Sequence, residues 1–154
     1  MPTRDQKFAA AIFRQAQDAA AKWPIDEKTE PNKEKRQANQ TKRNQYGSMA
    51  HKLPVLIRTA GLAQALAFVE ARHKADSPQH LLLAHLEQVV AVQKLAQTSR
   101  DTESLGNYMY LTHQCLAALL WYKRFAQSVL DVDASDAGNA DAEPAPEGGQ
   151  PNAK

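Results

Sequence analysis

The sequence predicts an all-α protein, a small bundle of about five helices followed by an acidic tail. Among its 154 residues, twenty-seven alanines stand against seven valines and three isoleucines, so helix formers dominate and strand formers are scarce. Apolar side chains recur at spacings of three and four, the period of one helix face. Capping residues and prolines stand where those stripes begin and end. A chain of this length forms one domain, whose folding buries roughly two thirds of the unfolded surface.

The elements follow in order. Thr3 and Gln6 have the spacing of a capping box, and Phe8, Ile12, Ala16, Ala20 and Trp23 share one face until Pro24 closes the helix. Residues 28–45 contain a single apolar side chain, Ala38, so this stretch is expected to project into solvent or against a partner, with nothing to dock on a core. Tyr46, Met49, Leu53 and Ile57 then resume helical spacing. Pro54, lacking the N–H that would bond to the carbonyl of Ala50, is expected to end or bend the helix. Leu62, Ala65, Leu66 and Val69 carry the stripe on to about Lys74, and Gly61 inside it reads as a place where another backbone approaches closely.

Ser77-Pro78 supplies an N-cap and a first-turn proline for the next helix, with Leu82, Leu86, Val89, Val92 and Ala96 as its buried stripe. The last helix carries Tyr108, Leu111, Cys115, Leu119, Tyr122, Ala126 and Val129, widened by Leu116, Leu120, Trp121 and Phe125. Such an all-round apolar surface fits the centre of a bundle or a self-association surface. From Asp131 to Lys154 there are six acidic residues, one basic residue and repeated Pro and Gly. That composition cannot offset its ordering entropy, so the expected division is a helical body over 1–130 and a disordered acidic tail over 131–154.

Charge is unevenly placed. The formal net charge of +2 is the balance of a body with eighteen Lys and Arg against eleven Asp and Glu, and the acidic tail. Most of the excess lies in a strip over 28–58, where Lys28, Lys33, Lys35, Arg36, Lys42, Arg43, Lys52 and Arg58 face only Glu30 and Glu34. A strip of this kind suits a phosphate backbone, whose counterions it releases, and Gln37, Asn39, Gln40, Asn44 and Gln45 could donate to phosphate or sugar oxygens. It equally suits a solvated charged loop, and composition alone leaves both readings open.

Catalytic patterns are missing from the sequence. There is no glycine-rich phosphate loop, no Cys-x-x-Cys and no carboxylate pair on an apolar scaffold, so neither an enzyme nor a resident cofactor is expected. His80 and His85 are five residues apart, about 140° around a helix, and no metal site is expected from them with His51, His73 or His113. The single Cys115 excludes an internal disulfide and sits in the longest apolar run, Cys115 to Tyr122, as a core thiol would. That run is far too short to span a bilayer, and the polar N-terminus lacks an apolar signal core, so a cytoplasmic protein is expected. Trp23, Phe68, Trp121 and Phe125 fall on apolar faces and read as core. Tyr46, next to the basic strip, could turn its hydroxyl to solvent or a phosphate.

The segment Tyr46-x-Ser48-x-Ala50-x-Lys52-Leu53-Pro54-x-Leu56-Ile57, followed by Gly61-Leu62-x-Gln64-Ala65-Leu66-Ala67-Phe68, resembles the small helical subunit of the Cmr complex, the type III-B CRISPR effector that targets RNA. The likeness continues more loosely from Tyr108 to Leu130, and departs at Ala60, where the family more usually has Asn before the glycine. The resemblance implies a non-catalytic subunit whose copies stack head to tail beside the backbone subunits that hold the guide RNA. Its neighbours would be those backbone subunits, the large subunit, further copies of itself, and guide and target RNA. It also tips the basic strip toward RNA, with Lys42, Arg43, Lys52 and Arg58 in or beside the matched segment and Lys35 and Arg36 just before it. Two alternatives stay open: a helical adaptor that binds only protein, and the small subunit of the type III-A complex.

Overall fold

The structure, a computed structural model, describes residues 1–134. Among them are six α-helices and no strand: α1 (Arg4–Lys22), α2 (Lys33–Ala60), α3 (Leu62–Arg72), α4 (Pro78–Val90), α5 (Leu95–Asp101) and α6 (Leu105–Ser128). The long α6 packs chiefly on α2 and α1, α4 closes the bundle against α2, α6 and α1, and α3 lies between α2 and α5. Ile12, Met49, Leu53, Leu66, Leu82, Leu86, Leu95 and Leu119 fill the space between them.

The expected helix starts are present. Thr3 and Gln6 form the reciprocal capping box, Ser77 accepts from the His80 N–H ahead of Pro78, and Asn32 accepts from the Glu34 and Lys35 N–H groups at the start of α2.

Two helix boundaries differ from the expectation. The chain stays helical through the buried Pro54 and breaks seven residues later, at Gly61. The cause there is backbone conformation, not close approach of a neighbouring backbone: Gly61 has φ 91° and ψ 158°, and a Cβ on it would meet only the Tyr108 hydroxyl, at 3.4 Å. With no side-chain cap available at Gly61, the Tyr108 hydroxyl accepts the Ala63 N–H of α3's first turn at 3.0 Å. The second difference is that α4 ends at Ala91 and α5 begins after Lys94, both residues in the left-handed region. Glu87 organises this turn, its carbonyl accepting the Val92 N–H and its carboxylate the Leu95 N–H.

The stretch 28–45 is not a free arm. Helix α2 starts within it and docks through polar side chains instead of apolar ones. Arg43 donates from Nε to the Trp23 carbonyl at 2.7 Å and from Nη2 to the Ala20 carbonyl at 2.9 Å, while Asn39 donates to the Pro24 carbonyl at 2.7 Å. These are the carbonyls that the end of α1 leaves without helical partners, and the cation also complements the negative end of its dipole.

The body also extends past residue 130. Leu130 and Val132 are fully buried, and the Val132 N–H bonds to the Ala126 carbonyl. The Val132 side chain occupies the space above Gly47, where an added Cβ would come within 2.6 Å of it. His51 Nε2 meets the Val132 carbonyl at 3.0 Å. Residues 131–134 of the expected tail therefore continue the body, and the remainder, 135–154, lies outside the described residues.

Candidate nucleic-acid interface

The six cations singled out in the sequence divide into three groups. Arg43 is buried, its donors are committed to α1, and burial holds its pKa below the usual arginine value. Arg36 is half-buried and donates from Nη1 to the carbonyls of Glu30 and Pro31, both at 2.9 Å, with Glu27 beside its other nitrogen. These two arginines fasten the loop before α2 and the end of α1. Arg58 is exposed in the last turn of α2 but lies about 160° around the helix from Lys42. Lys35, Lys42 and Lys52 remain as the third group, Lys35 and Lys42 being within about 20° of each other on one face.

The fold adds partners to that face which a linear charge count does not identify. Lys42 and Gln45 of α2, Arg72 and Lys74 at the end of α3, and Ser77 and Gln79 at the start of α4 surround an open cavity of about 460 Å³. Arg72 also lies over the Phe68 ring at 5.2 Å, and the Lys52 ammonium approaches the same ring at 5.8 Å. Lys42, Arg72 and Lys74 thus line one cavity together with Asp76, and Lys52 shares the Phe68 ring with Arg72, a set drawn from two segments about thirty residues apart. His73 lines the same cavity. The sequence carried a faint signal for this second segment, Arg72-His73-Lys74, but only the packing of α3 on α2 joins it to the strip.

The remaining candidates are structural. The Tyr46 hydroxyl is buried and pairs with His85 Nδ1 at 2.7 Å, so it does not reach the surface. Burial lowers the His85 pKa to about 4, with the Asp18 charge opposing that shift and the Lys22 charge adding to it. The imidazole is therefore neutral at physiological pH. Tyr122 donates to Gln15 Oε1, and Gln15 Nε2 donates in turn to the His85 carbonyl, so this polar network ties α1, α2, α4 and α6 together. Burial pushes the Cys115 thiol up to about 12, which keeps it protonated and a poor nucleophile. Among the described residues no group of three or more His, Cys, Asp or Glu could hold a metal ion. No described helix is long and apolar enough to cross a membrane.

Fold and surface thus define, among the described residues, a small all-helical protein with a cavity lined by cations of two segments. The chain belongs to the CRISPR-associated protein (Cas_Cmr5) family, whose model matches residues 4–129. It is similar to the CRISPR system Cmr subunit Cmr5 of Thermus thermophilus, 46% identical over 93 residues that cover 58% of this chain and 78% of the relative. It is also similar to the X-ray crystal structure of a CRISPR-associated Cmr5 family protein from Thermus thermophilus, with a TM-score of 0.63 at 37% identity over 84% of this chain and 98% of that one.

Proposed function

We propose that this protein is a non-catalytic structural subunit of a type III-B CRISPR (Cmr) ribonucleoprotein. Several copies stack along the complex and line the channel in which guide and target RNA lie, each presenting Lys42, Lys52, Arg72 and Lys74 to the RNA backbone, with Lys35 extending the same face. The observation that carries the RNA contact is the gathering of these cations from α2 and the α3–α4 junction onto one surface, in a member of the Cmr5 family. Lysines and arginines spaced over such a surface neutralise successive phosphates and release counterions, which gives affinity without reading bases. Sequence is then read by guide–target pairing. Arg36 and Arg43 are excluded from the contact because their donors already serve carbonyls, and Arg58 because it faces away.

The test replaces Lys42, Lys52 and Lys74 together by Ala in the co-expressed complex, with Arg58→Ala as the comparison. The triple variant should assemble normally, capture the same sequences with lower affinity, and show a slope of log affinity against log salt shallower by roughly 0.7–0.9 per lost contact in each copy. Arg58→Ala should leave both quantities unchanged. Unaltered affinity and slope in the triple variant, with assembly intact, would instead favour an adaptor whose cations face acidic protein surfaces.

A further inference from the structure

Helix α6 carries a second apolar stripe, flanking the face of its buried residues Cys115, Ala118, Leu119, Tyr122 and Ala126. Leu105 is 71% exposed, Met109 49% and Leu120 47%, and Leu116 between them is only partly covered. At the helical repeat these four side chains fall within about 60° of one another and extend over about 23 Å. Single exposed apolar residues are ordinary on a protein surface, whereas an aligned stripe marks a contact.

We propose that the occupant of this stripe is α6 of a second copy, lying antiparallel to the first. The spacing is self-complementary: Leu105 to Met109 and Leu116 to Leu120 are both four residues, so turning one helix end for end sets Leu105 against Leu120 of the second copy and Met109 against its Leu116. The two-fold axis then passes beside Thr112 and His113. Charge agrees with the antiparallel sense. Asp101 and Glu103 are exposed immediately before α6, while Lys123 and the exposed Arg124 stand toward its other end. The antiparallel alignment brings the acidic end that precedes one α6 toward Lys123 and Arg124 of the other, twice by symmetry, whereas a parallel one would put like charges together. Two nearly antiparallel helices with leucine and methionine at their contact also match the commonest shallow crossing of bundles.

Such an isologous contact closes at two copies, so it belongs to the free protein and is separate from head-to-tail stacking; it does not rest on the RNA contact. Four apolar side chains per copy are few beside a standard interface, and the pair is accordingly weak and concentration-dependent.

Sedimentation velocity of the full chain tests this. The average mass should rise from the 17.0 kDa of one chain toward twice that value as concentration increases from about 10 µM to about 1 mM. Met109→Glu with Leu120→Glu should hold the mass at the monomer value, with an unchanged melting curve because both sites are exposed. Lys123→Glu with Arg124→Glu should weaken the pair, and adding Asp101→Arg with Glu103→Arg should restore it, a rescue that only the antiparallel sense provides. His113→Cys should give a covalent dimer under mild oxidation, while the parent, whose Cys115 is buried, should not. A monomer at every concentration, a dimer indifferent to the two glutamates, or a charge swap without rescue would overturn the proposal. So would a dimer that appears only once residues 135–154 are deleted, since that segment would then be what covers the stripe.

Discussion

Gly61 and Ala91 pose similar backbone problems with residues unequally suited to them. Gly61 holds φ 91° and ψ 158°, a region nearly closed to any side chain, so Gly61→Ala should lower the denaturation free energy by roughly 1–3 kcal/mol although its Cβ would meet no backbone. Ala91 sits at φ 61° and ψ 41° without being a glycine, and Ala91→Gly should stabilise the fold by roughly 0.5–1 kcal/mol. Urea titrations of the two variants beside the parent check both signs. A sequence can announce that a glycine interrupts an apolar stripe, yet it cannot say whether conformation or space requires it. Gly61 answers to conformation and Gly47 to space, and the latter depends on a residue eighty-five positions away.

Among the elements, legibility followed the kind of side chain that does the docking. The apolar faces of α1, α4 and α6 and the caps at Thr3 and Ser77 were readable because their spacing and chemistry are local. The first half of α2 was not, since Arg36, Asn39 and Arg43 have the same three-and-four spacing but satisfy carbonyls, and a hydrophobic pattern does not register them. The α4–α5 turn escaped because Val90-Ala91-Val92-Gln93-Lys94 has neither Gly nor Pro; Glu87 shapes it from within the preceding helix. The proposed interface divided in the same way, with Lys42 and Lys52 visible in the strip and Arg72 and Lys74 joined to them only by helix packing. Helix α4 also supplies a pH dependence through His85, whose burial favours the neutral imidazole. Its folded pKa of about 4 lies below the unfolded value of about 6.5, so the unfolded chain takes up the proton first as pH falls. The stabilisation from this group is complete above about pH 6.5 and is lost as pH falls toward 4. Proton-detected titration of the imidazole, with melting curves across that interval, should show a late-titrating histidine and a falling midpoint in the parent, and a smaller fall in His85→Gln.

At the scale of the whole molecule, the body ends later than its composition indicates. Removing residues 135–154 should leave the melting temperature nearly unchanged, whereas removal from Asp131 onward should cost roughly 1.5–3 kcal/mol, the value of burying one aliphatic side chain, and lower the midpoint by several degrees. Equal midpoints for the two truncations would remove Val132 from the core. The contact between Val132 and Gly47 has a genetic corollary. A bulkier residue at 47 displaces the valine, so its defect is relieved by shrinking position 132 more readily than by any change along α2 itself. Second-site revertants of a Gly47→Ala lesion should therefore collect at codon 132, eighty-five codons downstream, and the two codons are expected to drift as a pair.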